Sequence, residues 1–225
     1  MTSRRLIIAI DGPSGAGKGT VARTIASRLD YRHIDTGAMY RAVAWLARQG
    51  GIDLLDEARV AGVARSAVLD LDGAVRANGQ DVSALIRTPE MDQAAAAVAR
   101  HPAVRAVLVE RQRACGDGGG IVMEGRDIGS VVFPDADVKI YLDATPAERA
   151  RRRAGDPAHS TGREPKALDQ VQGELAARDT SDSTRAVSPL TQAPDAIYLD
   201  TTGVPIEDVV TRVLEIVKKT TQANF

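Results

Sequence analysis

The sequence predicts an α/β domain: a mostly parallel sheet of five strands flanked by helices, with a small antiparallel β insert. Three observations predict it. The apolar run Arg5-Leu-Ile-Ile-Ala-Ile10 ends in Asp11-Gly12 and a glycine-rich turn that opens onto a helical period. Further short apolar runs alternate with helical periods downstream, as right-handed crossovers require. Between residues 68 and 86 the period shortens and Asx-Gly pairs appear, a strong hairpin signal. At 225 residues the chain suffices for one ample domain with an appended subdomain.

In order, residues 5–10 read as a strand buried on both faces. Lys18–Leu29 is a helix with Val21, Ala22, Ile25, Ala26 and Leu29 on its apolar face. His33-Ile-Asp35 is a short strand, and Ala38–Arg48 a helix stopped by Gly50-Gly51. Residues 68–86 form short strands turned at Asp72-Gly73 and Asn78-Gly79. Thr88-Pro89 caps a helix that gives way near His101-Pro102 to another, Ala103–Arg113. Ile121-Val-Met and Val138–Leu142 are the next main strands, and Thr145-Pro-Ala-Glu148 opens a helix with a capping box. The polar stretch Gly155–Pro165 reads as a mobile loop. Lys166–Arg178 is helical, Ala196–Leu199 the last strand and Pro205–Val217 a closing amphipathic helix.

Net charge is −1, which offers no global field for nucleic acid or an acidic membrane. No window approaches the roughly 18 apolar residues of a membrane span. A lone cysteine, Cys115, excludes an internal disulfide framework and suits a reducing compartment, so a cytoplasmic protein is expected. The charge balance and the lack of a sustained heptad favour a monomer. Five of the 29 basic residues are lysine, leaving 24 arginines, whose forked guanidiniums suit phosphate. The total fits a compositional bias equally well, so each arginine is weighed by position.

Gly12-Pro-Ser-Gly-Ala-Gly-Lys18 matches the phosphate-cradling pattern G-x-x-x-x-G-K in its required strand–loop–helix setting. Its backbone N–H groups and the helix N-terminus suit an anion, and Lys18 can reach the β and γ phosphates. Gly19 separates Lys18 from Thr20, making a direct bond from Thr20 to Mg²⁺ less secure; the Gly-Lys-Gly-Thr ending is similar to that of nucleoside monophosphate kinases. Asp35, Thr36, Tyr40 and Arg41 follow a strand at the edge where ligand clefts open. Arg41 can clamp a second phosphate; a core Tyr40 and a solvated Arg41 are the competing reading. Arg126-Asp127 follows another strand, as a phosphate and base contact or as a surface ion pair. Arg149, Arg151, Arg152, Arg153 and Arg163 flank the polar loop, as a solvated helix face or as mobile cations for phosphoryl transfer. Arg149 and Arg153 share one face. Arg178, Asp182 and Arg185 form ion pairs, or a sugar contact and a further phosphate clamp. His33, His101, His159 and Cys115 read as structural or surface residues.

Together these segments, with Gly79-Gln-Asp-Val-Ser, Val104-Arg…Arg-Gln-Arg113, Gly125-Arg-Asp-Ile-Gly-Ser-Val-Val-Phe-Pro-Asp-Ala136 and Arg178-Asp…Arg-Ala-Val-Ser-Pro-Leu190, closely resemble bacterial cytidylate kinases over nearly the whole chain. The phosphate loop is common to many NTPases. The Gly125–Ala136 segment and the β insert are far more specific. The resemblance implies a P-loop nucleoside monophosphate kinase fold, with a core (1–35, 102–150, 186–225), a monophosphate-binding region carrying the insert (36–101) and a lid (151–185).

It implies ATP, with Mg²⁺, on Gly12, Pro13, Ser14, Gly15, Ala16, Gly17, Lys18, Gly19 and Thr20, the metal held mainly by the nucleotide's phosphates. CMP or dCMP would lie among Thr36, Tyr40, Arg41, Arg105, Arg126, Asp127, Arg178, Asp182 and Arg185. Of these, Arg41, Arg126 and Arg185 would take the phosphate, Asp182 the sugar hydroxyls, and Arg105 with Asp127 the cytosine. Lys18, Arg126 and one lid arginine, Arg153, would be catalytic. Family members often carry a serine against the base; its equivalent here is Ala96, which puts discrimination against uracil in doubt. A kinase for UMP or a non-nucleotide acid, and a nucleotide-dependent binding module without chemistry, are the rival readings.

Overall fold

The computed structural model describes residues 5–156 and 167–223. Strands β1 (Ile7–Asp11), β2 (Arg32–Asp35), β6 (Ile121–Glu124), β7 (Val138–Asp143) and β8 (Ile197–Asp200) form a parallel sheet in the order β2-β6-β1-β7-β8. β1 is central: Ile8 aligns with Val122 on one side and Val138 on the other. Each of these five strands ends in a carboxylate, Asp11, Asp35, Glu124, Asp143 or Asp200, at one edge of the sheet. That edge needs cations.

Strands buried on both faces need apolar cover on both. One face packs Ile8, Ile10, Val122, Ile140 and Leu142 against α1 (Lys18–Leu29) and the last helix, α8 (Ile206–Ala223), through Val21, Ile25, Val210 and Val213. The other face buries Ala9, Ile34, Ile121 and Met123 beside Val109 of α5 (Pro102–Cys115) and Ile128. A second core lies among α2 (Thr36–Gln49), α3 (Glu57–Ser66), α4 (Pro89–Val98) and α5. Helices α6 (Pro146–Ala154) and α7 (Leu168–Ser183) meet at Ala150, Val171 and Leu175.

The insert is antiparallel as expected: β3 (Leu69–Asp70), β4 (Arg76–Ala77) and β5 (Gln80–Asp81). Asn78 (φ 49°) and Gly79 (φ 84°) make its two-residue turn, both in the left-handed region such a hairpin demands. The other pair, Asp72-Gly73, lies in a longer loop instead, since Asp70 aligns with Arg76. Thr88 caps α4 from its side chain, accepting from the Met91 N–H at 3.2 Å.

Three local expectations are corrected. Helix α3 was not anticipated, although Asp56 caps it by accepting from the Arg59 N–H at 3.0 Å. The capping box at Thr145 is half-formed: Thr145 accepts from the Glu148 N–H at 3.4 Å, while the Glu148 carboxylate turns to Arg151 and Arg152 at 2.7 and 2.8 Å. α7 continues past Arg178 to Ser183, so Arg178 and Asp182 stand one helical turn apart. The polar stretch read as a loop, with His159 and Arg163, lies outside the described residues beyond Asp156.

Candidate active site

The glycines after β1 build the donor side. Gly12 has φ 145°, and a Cβ there would lie 2.0 Å from the Leu142 carbonyl, so only glycine lets the loop cross β7 so closely. Gly17, at φ 90°, is the N-cap of α1 and leaves that helix's N-terminus open to the cleft. Lys18 is buried and donates to the Pro13 carbonyl at 2.7 Å. Burial first, then the positive charge of Arg126, pulls its ammonium down to about 7. Asp11 is pushed up to about 6 by burial, against N–H groups of Gly129 and Ile128 that donate to it at 2.7 and 2.8 Å. Through those bonds the strand before the loop anchors the π-helical turn Ile128–Val132, which follows Arg126 and Asp127.

Two α6 arginines brace the loop from outside. Arg149 donates to the carbonyls of Ser14 at 3.0 Å and Ala144 at 3.1 Å and pairs with Asp179, which accepts from the Ser14 N–H at 3.1 Å. Arg152 donates to Ala16 O at 3.3 Å and to Thr201 Oγ1 at 2.9 Å. A Cβ on Gly19 would sit 3.1 Å from Glu124 Oε1, so the glycine makes room for that carboxylate beside Lys18. His33 Nε2 lies 2.9 Å from the same oxygen.

The opposite wall is built from arginine–carboxylate pairs. Arg126 pairs with Asp182 at 2.9 Å, and Asp127 with Arg105, so the sequential neighbours Arg126 and Asp127 do not pair with each other. All four are largely buried, which removes the surface ion pair as a reading. Burial pushes the Asp182 carboxyl up, but Arg126, Arg185 and Arg178 outweigh it and hold it below the ordinary range. Arg105 lies over the Tyr40 ring at 5.5 Å, and burial pushes the Tyr40 hydroxyl up to about 12. Arg41 pairs with Asp35 at 2.8 Å, and Asp35 also caps α2 by accepting from the Ala38 N–H at 3.0 Å. Tyr40 is thus core-packed and Arg41 is not solvated.

These walls enclose a cleft of about 790 Å³. Ser14 to Thr20 line it on one side; Thr36, Tyr40, Arg41, Arg105, Arg126, Asp127, Arg153, Arg178, Asp182 and Arg185 line it on the other. Gly12 and Pro13, at the start of the loop, are buried and do not line the cleft, and Ala96 joins the wall with Ala95, Ala99 and Arg105. The shared face expected for Arg149 and Arg153 splits in use. Arg149 is buried under the phosphate loop, whereas Arg153 borders the cleft and reaches Asp92. Among the described residues, Arg41 Nε, Arg105 Nε, Arg178 Nε and Arg185 Nη2 are buried without a hydrogen-bond partner. Each such group costs about 1–3 kcal/mol unless something binds it. The four arginines that carry them all line the one cleft, which gathers enough positive charge there for an anionic ligand. Sequence reading assigned no role to Asp11, Asp92, Glu124 or Asp179. Asp92 alone carried a local signal, a carboxylate among the apolar Met91, Ala94, Ala95 and Val98 of α4.

The family model described as Cytidylate kinase matches residues 8–219. The chain is 49% identical over 216 residues to the cytidylate kinase of Solibacter usitatus, covering 96% of this chain and 93% of that protein. It is 47% identical over 221 residues to the cytidylate kinase of Geobacillus kaustophilus, covering 96% and 98%. Among solved structures, an uncharacterized protein from Eubacterium ventriosum shares the fold with TM-score 0.54 and 10% identity, covering 95% of this chain and 99% of that one.

Proposed function

The chain belongs to the cytidylate kinase family, and we propose that its cleft transfers the γ-phosphoryl group of ATP to the phosphate of CMP or dCMP, giving CDP or dCDP. The observation that carries this reading is the opposition of two anion sites. A glycine loop at a helix N-terminus faces a wall of guanidiniums gathered around one cleft, several of them with a nitrogen left unpaired among the described residues.

The loop of Gly12 to Thr20 holds the ATP phosphates, with Lys18 leaving the Pro13 carbonyl for the β and γ oxygens. A phosphate dianion beside it favours the charged ammonium that burial disfavours. Arg41, Arg126 and Arg185 take the acceptor's phosphate and Asp182 the sugar hydroxyls. Asp127, fixed by Arg105, accepts from the cytosine amino group, while Arg105 faces ring acceptors. The acceptor phosphate is itself the nucleophile, so no general base is required. Catalysis comes from in-line positioning and from arginine charge on the transferring group, Arg126 and Arg153 flanking it. Residues 151–185, which include α7, act as the lid that excludes water, over a core and a monophosphate-binding region divided as the sequence suggests.

Glu124 and Thr20 offer oxygen ligands beside Lys18, a donor set that fits a hard cation brought in on nucleotide phosphates. Mg²⁺ held there would supply positive charge to the nucleotide phosphates. No helix among the described residues is long and apolar enough to cross a membrane. A cytoplasmic monomer is the proposed working form, the assembly state being readable by sedimentation. The decisive experiment couples ADP release to a spectrophotometric signal with ATP and CMP, dCMP or UMP in turn. Preference for CMP and dCMP is expected; no acceptor-dependent ADP release would sink the assignment.

A further inference from the structure

Asp92 is a buried carboxylate in the first turn of α4, and it collects arginines from three other helices. Arg153 of α6 donates to its Oδ2; Arg178 of α7 lies 3.3 Å and Arg41 of α2 3.8 Å from its Oδ1. All three arginines line the cleft. The rest of that stretch of α4 buries only Met91, Ala94, Ala95 and Val98, so packing does not call for a charge there. The pairs join α4, in the monophosphate-binding region, to both helices that flank the polar stretch 157–166. An arginine held by a carboxylate is also an arginine withheld from a phosphate, because the fork offers the same N–H groups to either.

We propose that Asp92 sets the affinity of the acceptor site by holding Arg41, Arg153 and Arg178 until a substrate phosphate displaces it. This rests on the cleft being the CMP site and adds a residue that acts through the arginines rather than on the substrate. Binding then exchanges a monoanionic carboxylate for a phosphate of higher charge with three acceptor oxygens. The displaced carboxylate stays on α4 and repels the newcomer, so the site binds CMP less tightly than its arginines alone would. A purely structural brace would act in the opposite sense, since its loss would scatter the arginines and weaken CMP binding.

Asp92→Asn is therefore expected to lower KM for CMP about tenfold, the size of one partly buried charge interaction, with KM for ATP little changed. Inorganic phosphate should raise the Tm of Asp92→Asn well beyond its effect on the wild type. Asp92→Glu keeps the charge and should match the wild type in both readouts. An unchanged or raised KM for CMP in Asp92→Asn, or equal phosphate stabilisation of both proteins, overturns the proposal. Should Asp92→Asn not fold alone, Asp92→Asn/Arg153→Gln removes both charges of the pair. It must bind inorganic phosphate more tightly than Arg153→Gln; equal or weaker binding refutes the competition. Absence of CMP-dependent ADP release in the wild type would instead refute the assignment of the cleft, which the phosphate titration does not depend on.

Discussion

The donor and acceptor sides of the cleft hold anions by different constructions. The donor side is one continuous stretch, Gly12 to Thr20, whose conformation follows from glycine backbone freedom and the start of α1. Its outward carbonyls are already bonded, Pro13 O to Lys18, Ser14 O to Arg149 and Ala16 O to Arg152. The acceptor side has no continuous segment. Thr36, Tyr40 and Arg41 come from α2, Arg105 from α5, Arg126 and Asp127 from the turn after β6, and Arg178 and Asp182 from α7. There the side chains are held by mutual ion pairs and still leave buried polar atoms without partners. Backbone presents one phosphate and side chains the other, so damage on the two sides should read differently.

The largest expected effect is on the acceptor side. Arg126→Ala should lower kcat about a thousandfold, the scale of losing one preorganised charge on the transferring group. ATP binding by calorimetry should not weaken, because the loop is untouched and Lys18 loses a positive neighbour that disfavours its ammonium. Near-normal turnover would break the assignment of Arg126.

Next comes the brace beneath the donor loop. Arg149→Ala leaves Asp179 and the Ser14 carbonyl without their partner, and should cost about 3 kcal/mol in chemical denaturation. Arg153→Ala, one turn on, should cost far less stability. Equal losses would erase the distinction drawn between these two arginines.

A comparable effect, on the order of a few kcal/mol, lies in the pH dependence of the ligand-free protein. Asp11 titrates near 6 in the fold, above its unfolded value, so the folded state binds the extra proton and stability falls as pH rises from 4 to 6. Lys18 titrates near 7, below its unfolded value, so stability climbs as pH rises from 7 towards 10.5. The pair predicts a trough near pH 6–7. Asp11→Asn should remove its acid-side fall, and Lys18→Met its alkaline-side rise, in difference curves against the wild type. Superimposable curves would mean that the two groups titrate normally.

The smallest test lies outside both sides. Asn78→Ala puts a left-handed residue without a side-chain acceptor into the insert turn and loses the Val68 N–H bond at 2.8 Å. It should cost about 1 kcal/mol of stability and leave kcat unchanged. A fall in turnover would show that the insert shapes the acceptor wall.

Much of the fold was legible because its signals are local. Glycine at forced angles, Thr88 at a helix N-terminus, Asn78-Gly79 between paired residues and apolar periods each act within a few residues. Helix α3 escaped because it is short and buries only Val60, Ala61 and Ala64, too small a face for a clear period. Arg41, Arg126 and Asp127 were legible as residues following strands at the edge where clefts open, whereas Arg105 was reached only through resemblance to a family.

By itself the sequence determined the parallel sheet, the phosphate loop and the residue types that face it, since backbone preference and side-chain chemistry travel with the residue. Only the tertiary structure decided the pairing. It set Arg126 on Asp182 and Asp127 on Arg105, buried Arg149 beneath the loop while Arg153 reached the cleft, and brought Arg41, Arg153 and Arg178 to Asp92. Charge–charge attraction depends on distance in space, and residues 56 or 61 positions apart acquire that distance only when the helices pack.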